Sequence, residues 1–179
     1  MEEGCFVDAG SFDGRTSKIF AEWCEGRFQK IFAFEPDSKN AVKCEDTLRN
    51  CVWGGGKNSV IRKGLWDKED VLCFKAYSNG ASRVEKKGEI KIPVGRLDDM
   101  IRDERVTFIK MDIEGSEYNA LLGARETIVK NRPKLAVSIY HKKEDIWTLP
   151  SLILEMVPDY KLFFGHYSIA AAETVLYAI

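Results

Sequence analysis

Histidine is scarce in this chain: only His141 and His166 occur, far apart in sequence. Cysteine offers little more. Cys5, Cys24, Cys44, Cys51 and Cys73 are odd in number, scattered, and include no C-x-x-C pair. A structural zinc site of the usual ligand spacing is therefore not expected. The thiols read as reduced, semi-buried apolar residues of a cytoplasmic protein. A basic excess is missing too. Lys and Arg number 27 against 28 Asp and Glu, a net charge of -1, so no nucleic-acid partner is expected. No apolar run approaches the roughly 20 residues of a membrane span. The acidic start, Met1-Glu2-Glu3-Gly4, lacks the regions of a signal peptide. No repeat, low-complexity tract or linker divides the 179 residues, which read as a single domain, 1–179. Nothing in the pattern sets an oligomeric state.

What is present is organised. The run Cys5-Phe6-Val7-Asp8-Ala9 ends in a carboxylate and breaks into Gly10-Ser11-Phe12-Asp13-Gly14, and a helix-compatible segment from about Thr16 to Glu25 follows. A strand, a glycine turn and a helix start let a ligand approach bare backbone at Gly10 and Gly14. A second apolar strand, Lys30 to Phe34, ends at Glu35-Pro36-Asp37. A carboxylate there is placed to accept hydrogen bonds from a ribose diol. A dinucleotide turn reads G-x-G-x-x-G, whereas Gly10 and Gly14 are four apart with Asp8 before them and Asp13 between. Two carboxylates repel a pyrophosphate and suit a ligand with an ammonium group and no phosphate. S-adenosyl-L-methionine (SAM) has that character.

Strand and helix patterns alternate along the rest of the chain. Ile19, Phe20, Trp23 and Cys24 are expected to form the core stripe of the first helix. A second helix from Asp37 or Ser38 to about Asn50 is expected to turn Ala41, Val42, Cys44 and Leu48 inward. Trp53 to Asn58 reads as a flexible connection, and a third strand, Ser59 to Lys63, ends at Gly64-Leu65-Trp66-Asp67. Val71 to Phe74 and Ile90 to Val94 read as strands of a small antiparallel insert, with turn signals at Asn79-Gly80 and Lys86-Lys87-Gly88-Glu89. A short helix, Leu97 to Asp103, precedes a fourth strand, Val106 to Asp112. One helix is expected from Ser116 to Asn131, a fifth strand from Lys134 to Tyr140 and a helix from Ile146 to Met156. Tyr160 to Gly165 and Thr174 to Ile179 close the chain as two strands, giving a mostly parallel sheet with an antiparallel pair at one edge. Ligands of such sheets sit at the carboxyl ends of strands. Asp8, Glu35, Asp67, Asp112 and His141 all lie at or just past such ends.

The fourth strand emerges into Asp112-Ile113-Glu114-Gly115-Ser116-Glu117. Like charges this close are costly unless they bind something or cap a helix. Glu117 suits the first turn of a helix capped by Ser116. Asp112 and Glu114 read as site residues.

These segments carry a resemblance. Phe6 to Thr16, Phe34-Glu35-Pro36-Asp37 and Ile109 to Glu117 resemble the FkbM-type methyltransferase family, as do Leu97-Asp98-Asp99, Leu121-Leu122-Gly123-Ala124 and Ser138 to Trp147. The resemblance implies a Rossmann-like class I methyltransferase fold, an α/β, mostly parallel seven-stranded sheet with an antiparallel last strand. It implies SAM as methyl donor, S-adenosyl-L-homocysteine as product, and a hydroxyl of a glycan or small-molecule natural product as acceptor. Relatives often carry residues ahead of the first strand that cover the cofactor. That strand begins here almost at Met1, so the chain reads as a minimal or trimmed domain.

Strand position assigns the roles. Gly10, Ser11, Gly14 and Thr16 face the methionine end, with Asp8 near its ammonium. Glu35, followed by Pro36, holds the ribose. Leu65, Trp66 and Asp67 flank adenine, and Asp112 borders the cofactor. Asp112, Glu114 and His141 are the candidate bases, His141 having the best-suited ordinary pKa. No resident metal is required, yet Asp112 and Glu114 suit a divalent cation bridging to the acceptor oxygen. The insert from Asp70 to Val94 and the segment after His141 are expected to shape the acceptor pocket. The competing readings are an NAD(P)-dependent oxidoreductase and a non-catalytic interaction module.

Overall fold

A computed structural model describes residues 4–53, 57–76, 82–84, 90–169 and 173–179. The first half runs β1 (Cys5–Ala9), α1 (Arg15–Trp23), β2 (Lys30–Phe34), α2 (Ser38–Arg49), β3 (Asn58–Ile61), β4 (Gly64–Leu65), β5 (Asp70–Ala76), β6 (Ser82–Val84) and β7 (Ile90–Gly95). The second runs α3 (Leu97–Met100), β8 (Val106–Met111), α4 (Glu117–Leu122), α5 (Arg125–Asn131), β9 (Lys134–Ser138), α6 (Asp145–Met156), β10 (Leu162–His166) and β11 (Thr174–Ala178). Seven strands form one sheet in the order β10-β11-β9-β8-β1-β2-β3. The five from β9 to β3 are parallel, and β11 runs antiparallel to both β9 and β10. The chain leaves β1 toward β2 and β3 and later returns to β8 on its other side. That reversal opens a crevice beyond the carboxyl ends of β1 and β8.

Continuous apolar strands have both faces covered. Phe6 and Ile31 pack with Ala21, Cys24 and Phe28 on the α1 side. Val7, Ile109 and Val137 join Leu121, Ile128, Leu149 and Ile153 on the other. The cysteines behave as small apolar residues: Cys5, Cys24, Cys44 and Cys51 are buried and form no disulfide.

Four expectations need correction. First, α1 buries Ser17, Ala21 and Cys24, with Phe20 stacked on Phe6 at a centroid distance of 4.2 Å. Ile19 and Trp23, expected in the core, are 57% and 68% exposed. The small residues bring the helix close enough for Ser17 Oγ to donate to Asp8 Oδ2 at 2.7 Å. That bond turns the helix away from its bulkiest apolar side. Second, Val42 on α2 is exposed while Ala41, Cys44 and Leu48 are buried.

Third, the segment from Gly64 leaves the main sheet. Gly64 and Leu65 pair in parallel with Val94 and Gly95, and with the antiparallel pairs β5–β7 and β5–β6 they form a second sheet, ordered β4-β7-β5-β6. The insert is thus mixed rather than purely antiparallel. Its two expected turns, and most of the connection after Trp53, lie outside the described residues.

Fourth, the helix expected from Ser116 to Asn131 is two helices meeting at Gly123-Ala124. The Asp98 N–H donates to the Gly123 carbonyl at 3.1 Å. Its buried carboxylate accepts from Glu126 N at 3.1 Å and Thr127 N at 2.8 Å, capping α5 from a distant segment. A Cβ on Gly123 would lie 1.9 Å from the Trp66 carbonyl oxygen, so the break is also where the Trp66 segment seats. Removing such a cap strands one buried donor, Thr127 N, and one part-buried donor, Glu126 N, worth about 1–3 kcal/mol. Asp98→Ala should therefore lower the unfolding free energy by about 2 kcal/mol in urea titration, with native circular dichroism before the transition.

Candidate active site

The crevice holds a cavity of about 700 Å³. Of the expected site residues, Gly10, Ser11, Thr16, Glu35, Pro36, Leu65, Trp66, Asp112 and Glu114 line it. Asp8, Gly14, Asp67 and His141 are not among the lining residues. Lining residues that sequence reasoning missed include Phe12, Asn40, Lys110 and Glu173, while Leu72, Ile92 and Val94 come from the insert that was expected to shape the pocket.

Glu35 sits where β2 ends and is buried. Its Oε2 accepts from Phe12 N at 2.8 Å and its Oε1 from Asp37 N at 2.9 Å. Each carboxylate oxygen keeps capacity for another donor. Burial pushes this carboxyl above its ordinary pKa, against the two backbone donors that favour its charged form. The same cavity is lined by Leu65, on β4 of the second sheet, and by Trp66 just after it.

The glycine turn works differently from expectation. Gly10 has φ +75°, and a Cβ there would lie 2.0 Å from the Asp112 carbonyl oxygen. Gly14 has φ +79° and would press a Cβ on Cys44 at 3.1–3.2 Å. Both glycines are required by protein neighbours, and Gly14 does so from behind the rim. Gly10 N and Ser11 N donate to the Phe34 carbonyl at 3.0 and 3.1 Å, which ties the turn to β2.

Asp8 is corrected as well. It is fully buried, and its Oδ1 lies 3.0 Å from Lys110 Nζ while Oδ2 accepts from Ser17. Lys110 Nζ also donates to the Gly10 carbonyl at 2.7 Å. The ammonium partner of Asp8 thus belongs to the protein itself. The available signal was a lone lysine in the apolar run Thr107 to Met111; Asp8 and Lys110 are register partners in β1 and β8. Asp67 turns from the cavity, accepting from Asn119 Nδ2 at 3.0 Å on α4. Even with Asp8 neutralised, the lining carries Asp13, Glu35, Asp37, Asp112, Glu114 and Glu173 against Arg15 and Lys110. That excess of negative charge disfavours a phosphate-bearing ligand.

The second constellation gathers around His141, whose side chain is 2% exposed. Glu114 and Gly115 both adopt positive φ, +56° and +91°, folding the chain sharply after Asp112. Asp112 Oδ1 accepts from the Tyr140 hydroxyl at 3.2 Å and lies 3.5 Å from His141 Nε2. Glu114 Oε2 lies 3.6 Å from the same nitrogen. Glu117 is buried behind them, accepting from Ile113 N at 2.9 Å through Oε1, which lies 2.9 Å from His141 Nδ1. Burial disfavours the charged ring, but the Glu117 contact and the charges of Asp112 and Glu114 outweigh it, so the His141 pKa is raised.

A family model, the methyltransferase FkbM domain, matches residues 8–163. The chain belongs to the FkbM methyltransferase family. The crystal structure of methyltransferase FkbM from Methylobacillus flagellatus KT superposes with a TM-score of 0.83 at 31% identity, over 99% of this chain and 44% of that one. This chain therefore spans less than half of that protein's length. The 2-O-methyltransferase NoeI of Sinorhizobium fredii is 22% identical over 87% of this chain and 72% of its own. Precorrin-6y C5,15-methyltransferase from Geobacter metallireducens, at 10% identity and a TM-score of 0.59, shares the fold over 100% of this chain and 81% of that one. These likenesses fit the Rossmann-like class I methyltransferase architecture.

Two outcomes check the site's construction. Lys110→Met, which strands the Asp8 charge, should cost about 3–5 kcal/mol of stability. Asp8→Asn added to it should recover part of that loss in the same urea titration. Gly10→Ala should cost at least about 2 kcal/mol, because both its φ and its contact with Asp112 oppose a side chain.

Proposed function

We propose that this family member is a SAM-dependent O-methyltransferase acting on a hydroxyl of a carbohydrate, glycan or natural-product acceptor. The observation that carries the reading is Glu35, a buried carboxylate fixed by two backbone donors and lining the same cavity as Leu65 and Trp66. A ribose diol needs an acceptor held this way, and an adenine ring suits the apolar wall of Leu65, Trp66, Ile92 and Val94. A cavity of about 700 Å³ is of the size that small-molecule cofactors occupy. The surplus of carboxylates suits a cationic, phosphate-free donor. The likeness to the Sinorhizobium 2-O-methyltransferase NoeI supports hydroxyl oxygen as the target.

Bound SAM would supply a methyl group on positively charged sulfur for the acceptor oxygen, with S-adenosyl-L-homocysteine as the leaving group and the acceptor's proton left for the chain to take. The chain's own part is binding, alignment and proton management. The Gly10–Gly14 turn and Thr16 border the methionine end. Asp112 and Glu114 project at the cavity wall beside the β8 terminus and can draw the proton from an acceptor hydroxyl. Leu72, Ile92 and Val94, from the insert, exclude water from one side.

Isothermal titration of SAM into the protein should show one site, and NADH should give no heat. Glu35→Ala should weaken SAM at least tenfold, equivalent to about 1.4 kcal/mol, in protein whose melting profile shows it folded. Unchanged SAM affinity in that variant would remove the adenosine site from this crevice.

A further inference from the structure

His141 is an unusual ligand-like group. Its side chain is 2% exposed, and neither ring nitrogen makes a well-aligned hydrogen bond, although Nδ1 lies 2.9 Å from Glu117 Oε1. Buried imidazoles normally satisfy both nitrogens. Nε2 points between Asp112 Oδ1, at 3.5 Å, and Glu114 Oε2, at 3.6 Å. Those separations are too long for hydrogen bonds. They are the separations of ligands sharing an ion: donors about 2.1 Å from a hexacoordinate cation lie roughly 3–4 Å from one another. The trio whose ligand atoms all lie within 4.8 Å of one another is Asp112, Glu117 and His141; Glu114 joins the cluster through its approach to Nε2. Glu117 Oε2 is buried and also lacks a hydrogen-bond partner.

We propose that Asp112, Glu114 and His141 Nε2 form one face of a divalent-cation site, with Glu117 holding the ring through Nδ1. A buried carboxylate behind a metal-bound imidazole fixes the ring's tautomer and orientation. One imidazole with two carboxylates suits a cation such as Mn²⁺ or Mg²⁺. Asp112 and Glu114 line the cavity, so the remaining coordination positions face it and can take two oxygens of a hydroxylated acceptor. This assignment explains why three carboxylates converge on one histidine at a cavity wall. The orientation of the acceptor rests on the methyl-transfer reading; the cation site itself does not.

The test is therefore run without SAM. The whole chain is stripped with EDTA, dialysed and titrated with Mn²⁺ alone, free ion being read by electron paramagnetic resonance. One Mn²⁺ per chain is expected, with spin-echo modulation from one imidazole nitrogen. Asp112→Asn and Glu114→Gln should each weaken uptake at least tenfold, and Glu22→Gln on exposed α1 should leave it unchanged. Glu114 is partly exposed, so its variant keeps the test decisive if changes deeper in the cluster unfold the protein. No uptake at millimolar Mn²⁺, bound ion without nitrogen coupling, or uptake indifferent to both variants overturns the site. SAM binding without Mn²⁺ uptake would overturn this inference and leave the methyltransferase reading standing; the converse would do the reverse.

Discussion

The contact between Asp8 and Lys110 organises the crevice. The two residues lie opposite one another on β1 and β8, more than a hundred positions apart in sequence, in the layer where the strands end. A fully buried carboxylate requires a counter-charge, and Lys110 supplies it while also bonding the Gly10 carbonyl. The turn after β1 is thereby pulled onto β8, close enough that the Asp112 carbonyl leaves no room for a side chain at Gly10. The same turn hangs from the Phe34 carbonyl, and Phe12 N closes on Glu35. One ion pair thus sets the spacing between the carboxylate at the end of β2 and the cluster at the end of β8. A buried pair of this kind contributes little net stability against an apolar replacement. Its value is in specifying one register and one turn.

Much of this arrangement was legible in the sequence because parallel sheets write themselves locally. Strands buried on both faces read as short apolar runs, and the glycines and carboxylates that follow mark their ends. The mostly parallel sheet, the antiparallel closing pair and the positions of Glu35 and Asp112 at strand ends were readable in that way; the seven-strand count came from the family resemblance, and the strand order was not read at all. What escaped were decisions made by distant partners. The face of α1 was settled by Ser17 reaching Asp8, and a stripe of larger apolar residues lost to two small ones. The helix after β8 was split by Asp98, which caps α5 from another part of the chain. Asp67 went to Asn119 and left the cavity to Trp66, which β4 carries across in the second sheet. Periodicity contains none of these pairings.

The Asp112 to Glu117 block shows the same division within six residues. Sequence reading already set Glu117, suited to a helix's first turn, apart from Asp112 and Glu114. Consecutive left-handed residues at Glu114 and Gly115 separate them. Asp112 and Glu114 reach the cavity wall, while Glu117 turns inward, takes the Ile113 N–H and faces His141. The inward residue reads locally as an ordinary first-turn glutamate, and only the approach of β9 and the segment after it gives it a histidine to hold.

Charge then constrains what the crevice can accept. The sequence argument against a pyrophosphate leaned on Asp8 and Asp13, and Lys110 removes Asp8 from it. The conclusion survives on other residues, since six carboxylates line the cavity against two cations. Glu35 is partly committed to backbone donors, and Asp37 is committed to capping α2, accepting from Lys39 N and Asn40 N. Asp112 and Glu114 both approach the buried ring of His141, and Asp112 also accepts from the Tyr140 hydroxyl. A ligand entering this space meets net negative potential at both ends, at the Glu35 rim and at the β8 terminus. In the proposed reading the Glu35 end accepts from neutral ribose hydroxyls, so the ligand's cationic groups are drawn to the carboxylates at the β8 terminus.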